Sequence, residues 1–199
     1  MSEAVPLSGA PHHPIGLIVT DDLERSRLTT FFRLILAIPH FIWLYLWGIV
    51  AAVVVLIVWF VALFTGRVPP GLHEFLAAYL RYYTRVTAYS FLLANPFPPF
   101  SGSGSYPIDA RVDPGEAQSR LTVFFRIILA IPAMLLFYVF RSVNSIVAIL
   151  SWFYILVTGR MNEGMRNLSA WLLRYEIQTY AYLMLLTGRY PSLAGAPTA

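Results

Sequence analysis

The sequence predicts an all-α integral membrane protein made of two tandem, parallel repeats. Each repeat reads as a transmembrane helical hairpin followed by an amphipathic interfacial helix, with a short extended segment in front. Three observations predict this. First, 58% of the 199 residues are hydrophobic and 12% charged, with a mean hydropathy of +0.65, more apolar surface than a soluble fold of this size can bury. Second, SRLTTFFRLILAIP at 26–39 returns as SRLTVFFRIILAIP at 119–132, a shift of 93 residues with 12 of 14 letters unchanged. Third, 33 residues without a formal charge separate Arg33 from Arg67.

Holding the offset fixed extends the match without a gap. Trp59-Phe60 meets Trp152-Phe153, Thr65-Gly66-Arg67 meets Thr158-Gly159-Arg160, and Arg81-Tyr82 meets Arg174-Tyr175. Residues 14–100 and 107–193 therefore form the two membrane repeats, and 1–13 and 194–199 are expected to be disordered tails. A period this long describes a duplicated module rather than a solenoid.

Each unit opens on an extended piece, 14–20 and 106–113, two short strands that can pair across the repeat. Asp113, Pro114 and Glu116 resemble an N-cap, an N1 proline and an N3 acid, and Thr20 is the matching cap in the first unit. The apolar runs follow. As one helix, 33 residues would extend about 50 Å against a hydrocarbon core of about 30 Å. The second unit interrupts its run with Phe140, Arg141, Ser142, Val143, Asn144 and Ser145, where the first has Gly48 and its neighbours. The runs are therefore divided into spans 28–47 and 49–64, then 121–140 and 145–157, although one long kinked span per repeat would accommodate the same residues. Pro39 and Pro132 each remove a backbone donor inside the first span. Gly66 and Gly159 sit where a left-handed residue closes a helix.

The third segments, 70–93 and 163–186, are aromatic and amphipathic. Glu74, Arg81 and Arg85 share one helical face, which suits a helix lying among headgroups. The linker 94–106 is rich in Pro, Gly and Ser. Arginines recur at matched positions: Arg27 with Arg120, Arg33 with Arg126, Arg67 with Arg160, Arg81 with Arg174. They favour one membrane side in both units. Two crossings per unit satisfy that, with both termini cytoplasmic, Arg33 and Arg126 snorkelling outward, and Arg141 alone opposing the pattern.

Candidate contacts for lipid headgroups or a partner are Arg27, Arg33, Arg81, Arg85, Arg120, Arg126 and Arg174. For Arg33 and Arg126 the plainer alternative is an interface anchor, and for Arg81, Arg85 and Arg174 a solvated helix face. Three residues break the symmetry: His40 opposite Ala133, Arg141 opposite Gly48, and Glu176 opposite Tyr83. His40 is read as a pH sensor or ligand, or more plainly as a hydrogen-bonded packing histidine, and Asn144 and Ser145 as turn residues. All 14 basic residues are arginine and the net charge is +4, a membrane-surface bias rather than a nucleic-acid one. No cysteine, no acidic residue within the spans, and no catalytic, cofactor or metal motif is present.

RLTTFFRLILAIP with its copy, WFVALFTGRVP with WFYILVTGRMN, and the closing FPPF and RYPSL resemble a bacterial membrane family, domain of unknown function 4389. The resemblance covers nearly the whole chain and implies an integral membrane protein with no activity to carry over. The expected role is a non-catalytic scaffold or accessory subunit of a bacterial cell-envelope complex, in the cytoplasmic membrane, with membrane lipids and a protein partner or second copy as partners. An oligomeric channel or a lipid-binding or lipid-transport protein is the alternative.

Overall fold

The computed structural model describes residues 13–194. Of the two tails, only His13 and Ala194 fall within them, so the expected disorder of 1–13 and 194–199 otherwise lies outside the described residues. In chain order the elements are β1 (Ile15–Val19), α1 (Arg27–Thr65), α2 (Pro70–Ser90), β2 (Ile108–Val112), α3 (Arg120–Phe124), α4 (Arg126–Thr158) and α5 (Glu163–Leu183). Phe125 interrupts α3 and α4 by one residue, yet the bonds Phe125 N to Leu121 O and Leu129 N to Phe125 O carry the helix across it.

The expected hairpins do not form. α1 runs for 39 residues straight through Gly48, and α4 for 33 residues through Arg141, Asn144 and Ser145. Nothing in either stretch stops a helix: Pro39 and Pro132 are both accommodated inside, and Gly48 lies against the Tyr79 hydroxyl on the packed side. Asn144 is no turn residue either, being buried in mid-helix and accepting a hydrogen bond from the Ser169 hydroxyl. Helix ends are set by Ser26, whose side chain caps Thr29 N, and by Ser119 at the matched position, rather than by Thr20 and Asp113. Gly66 and Gly159 close α1 and α4 at φ 73° as the sequence predicts; only glycine adopts that conformation without steric cost.

The strands do pair across the repeat. β1 and β2 are antiparallel, with Leu17 opposite Ala110, and these two residues are exactly one repeat apart, so a pseudo-two-fold axis passes between them. That axis makes the repeats interlock. The Trp59 indole donates to Val123 O and the Trp152 indole to Thr30 O; Gln118 N bonds Gly66 O and Arg25 N bonds Gly159 O. The start of α1 therefore lies beside the end of α4, and the end of α1 beside the start of α3 and α4. α1 and α4 are antiparallel, as a two-fold axis that passes between the repeats perpendicular to both helices requires.

Three layers stack along the axis. α1 and α4 form the first. Each buries one narrow stripe, Thr30, Arg33, Ala37, His40, Ala51, Val58 and Ala62 in α1, and small residues in that stripe allow close approach. The remaining faces of both helices are exposed and apolar. α2 and α5 form the middle layer, and β1, β2 and residues 101–106 the third, while residues 94–100 reach α1 through Ala94 O on Arg33 and Phe97 and Phe100 on His40. Residues 82–89 and 172–179 are buried without a break, so α2 and α5 are the interior of the fold and not helices lying alone at an interface. Leu76, Leu80, Leu173 and Ile177 from them build the core with Leu17 and Ile108 of the strands.

Candidate functional site

The arginines at the repeat boundaries are structural clamps. α2 ends at Ser90, after which Leu92 takes φ 65° and the chain reverses with Leu93 N bonded to Ala88 O; Leu185 repeats this at φ 59° after α5. Helix C-termini leave carbonyls without partners and carry the negative end of the dipole. Arg33 answers both needs: it is buried, donates to Tyr89 O at 2.9 Å and Ala94 O at 2.7 Å, and lies 4.3 Å over the Tyr89 ring. Arg126 does the same with Tyr182 O, Thr187 O and the Tyr182 ring. Neither guanidinium is available to a lipid headgroup, and neither snorkels.

Beside each clamp stands a residue absent from the sequence-derived candidates. Arg25 donates to Leu92 O and Leu93 O and pairs with Asp21 at 2.5 Å; its counterpart Gln118 donates to Leu185 O and accepts from Arg126. The signal was the repeat itself, since Arg25 and Gln118 are aligned one position before the repeated Ser-Arg-Leu-Thr. Burial raises the Asp21 carboxyl against the pull of Arg25.

The other arginines divide. Arg85 is buried, forks onto both oxygens of Asp109 and donates to Ser103 O and Gly104 O, tying β2 and the linker to α2. Its counterpart Gln178 donates to Ile15 O, tying β1 to α5. Arg174 donates to carbonyls of Ser192, Leu193 and Ala194. Arg81 makes an exposed pair with Glu74, a geometry that contributes at most about 1 kcal/mol. Arg27 and Arg120 remain exposed, at opposite ends of the layer: Arg27 with its tip on Val157 O beside Gly159, Arg120 beside Gly66.

The symmetry-breaking residues fall in two places. His40 is buried, with Nδ1 2.8 Å from the Tyr82 hydroxyl and its ring against Phe97 and Phe100; Phe97 and Phe100 belong to the segment after α2, which folds back over α1. Glu176 and Arg141 come together at the axis. Glu176 accepts from the Tyr83 hydroxyl, its own counterpart in the other repeat, and pairs with Arg141 at 2.6 Å. The Tyr180 ring packs at a tilt against Tyr83, with 4.6 Å between centroids. Burial pushes the Glu176 carboxyl above its ordinary value, outweighing Arg141 and the two hydrogen bonds, and pushes the Tyr83 hydroxyl well up. Among the described residues no three His, Asp or Glu side chains gather around a common point.

A carboxyl raised by folding holds its proton more tightly in the folded state, so its stabilising contribution is complete below the ordinary value of 4.5 and is lost as pH rises through the folded value. Relative to Glu176→Gln, the wild-type protein is therefore expected to lose thermal stability as pH is raised from about 4.5 toward neutrality. A difference between the two proteins that stayed constant with pH would show that Glu176 keeps an ordinary carboxyl.

At one end of the first layer, Thr30, Arg33, Ser90, Leu92, Ala148 and Trp152 line an apolar cleft of about 340 Å³. The pseudo-symmetric positions at the other end carry the bulkier Val123, Leu183 and Val55 in place of Thr30, Ser90 and Ala148.

Residues 27–102 and 120–194 each match the family described as domain of unknown function DUF4389, in two tandem copies. The chain belongs to the DUF4389 family. No curated protein sequence and no solved structure matches it. The two DUF4389 copies begin at Arg27 and Arg120, the first residues of α1 and α3, and run past the clamped reversals at Leu92 and Leu185, so each copy carries its own clamp arginine. Arg25, Gln118 and both strands lie outside the matched ranges and join the copies to each other. Two helices of this DUF4389 protein, α1 and α4, are long and apolar enough to cross a membrane.

Proposed function

We propose that the protein is a non-catalytic membrane protein, a scaffold or accessory subunit of a bacterial cell-envelope complex, sited in the cytoplasmic membrane with both termini on the cytoplasmic side. The observation that carries this is the one-sided burial of α1 and α4. Each hides a single stripe and exposes large apolar residues around the rest of its surface, among them Leu34, Ile42, Leu56, Ile128, Ile146 and Phe153. An apolar area of this extent far exceeds the patches that soluble monomers leave open and suits a lipid solvent. Behind it, α2, α5 and the strand pair are locked by buried arginines into a stiff platform. A stiff polar platform fastened to a lipid-facing layer suits a part that positions other proteins. The described ends, His13 and Ala194, both approach α5, through Gln178 on Ile15 O and Arg174 on Ala194 O, which favours termini on one side.

Gentle solubilisation of the tagged protein from native membrane, followed by mass spectrometry, tests this. The expected result is membrane residence through alkaline carbonate washing and recovery of one defined partner complex. Release by carbonate, or recovery of the chain alone, overturns it.

A lipid-binding protein is the second reading, favoured by the apolar cleft of about 340 Å³ that Thr30, Ser90 and Ala148 line with Leu34, Ile149 and Phe153. Filling it with Ser90→Leu and Ala148→Val, the residue types at the matched positions, is expected to strip co-purified lipid without lowering thermal stability. Unchanged lipid content overturns the second reading.

A further inference from the structure

We infer that the α1/α4 layer lies in the plane of the membrane, immersed in a single leaflet, with the pseudo-two-fold axis along the bilayer normal; this rests on the reading that the layer is in lipid. Four observations carry it. The first is length. At 1.5 Å per residue α1 extends about 58 Å and α4 about 50 Å, whereas the hydrocarbon core is about 30 Å thick. Crossing it with α1 wholly inside would need a tilt of about 60°, beyond the roughly 40° that spanning helices reach. The ends cannot simply protrude, because the exposure stays apolar to both tips: Leu28 is 69% exposed and Phe64 72%, Ile127 70% and Val157 77%.

The second is what lies beside the layer. From Gly102 to Gln118 the segment after α2 lies beside that helix over most of its length: Asp109 meets Arg85, Gly102 meets Ala78, Gly115 meets His73, and Gln118 N reaches Gly66 O. An upright molecule would carry this polar segment, with Glu74 and Arg81, through the bilayer centre, where charged and unpaired polar groups are strongly disfavoured. Laid flat, the same segment stays in water. The third is the rim. Arg27 and Arg160 stand at one end of the layer and Arg67 and Arg120 at the other, all four exposed. Upright, they would be shared between the two faces of the membrane. Flat, they surround the apolar layer at one headgroup surface, where each adds attraction to anionic lipid, and the repeated arginines again serve one side. The fourth is thickness: one layer of helices is about 10–12 Å deep, within the half-thickness of roughly 15 Å that one leaflet offers.

The chain has no cysteine, so single nitroxide labels can be placed without background. Ile35→Cys, Ile42→Cys, Ile49→Cys and Leu56→Cys fall at seven-residue steps on one exposed face of α1. In liposomes of mixed zwitterionic and anionic lipid, oxygen and nickel-chelate relaxation of the four labels is expected to report one shared depth, short of the bilayer centre. A profile deepest at Ile42 and Ile49 and shallow at Ile35 and Leu56 overturns the inference while leaving the membrane reading standing. Full nickel-chelate access at all four sinks both. Ser26→Cys and Arg67→Cys, at the two ends of α1, provide a second measure in cells. A membrane-impermeant maleimide is expected to label both or neither from a given side, and labelling of one alone contradicts the flat arrangement.

Discussion

Replacing Arg33 or Arg126 by Met is expected to lower the unfolding free energy in detergent by about 3 kcal/mol, the scale at which removal of a buried charged partner leaves other groups uncompensated. Methionine keeps the volume and the apolar stem, so the loss isolates the guanidinium. Tyr89 O and Ala94 O, or Tyr182 O and Thr187 O, would be left in the interior with fewer donors, at the negative end of a helix whose reversal already holds a leucine at positive φ. Arg27→Met, at an exposed position, is expected to change stability by no more than about 0.5 kcal/mol. Urea or thermal unfolding followed by circular dichroism distinguishes them, and equal small losses for all three would show that the clamps contribute little. Were Arg33 a lipid contact instead, its substitution would alter lipid binding and leave the unfolding transition unmoved.

Gly102→Ala is expected to dislodge the linker. A Cβ there would stand 2.0 Å from the carbonyl oxygen of Ala78 and 2.6 Å from its carbon, and a helix backbone cannot yield as a side-chain tip can. The expected cost is about 2–3 kcal/mol, at the upper end of overpacking, with the damage confined to the segment that Arg85 gathers. Hydrogen exchange across 95–112 should rise sharply while α1 and α4 keep their protection. Gly104→Ala is the control: φ is 75° but nothing lies within 4 Å, so only the conformational cost of about 1 kcal/mol applies. If the two substitutions behaved alike, the close approach at Ala78 would be refuted.

Much of the fold was legible because duplication writes the same physical demand twice. The repeat marked both strands, the left-handed glycines at 66 and 159, and every matched arginine. It also marked Tyr83 and Glu176 as divergent without saying that they touch. What misled was reading residues by their type alone. Arg33 and Arg126 looked like interface residues because their partners are backbone carbonyls, which carry no signature in a sequence. Gly48 looked like a turn because nothing in a 39-residue apolar helix distinguishes a break from a close contact with Tyr79. The Ser-Gly-Ser-Gly-Ser run looked like a free linker, although Arg85, sixteen to nineteen residues earlier, holds it at Ser101, Ser103 and Gly104.

By itself the sequence determined that this is a doubled, helix-dominated chain of the DUF4389 family, with one long apolar run in each repeat and arginines at matched positions. Periodicity, composition and capping are local properties, and local properties are what a sequence states directly. Only the tertiary structure decided that the two long helices run antiparallel, that the amphipathic helices are the core, and that the clamp arginines hold helix ends. Those outcomes depend on which backbone groups of one repeat are left unpaired where the other repeat can reach them, and that distance is set by the packed layers rather than by the order of residues.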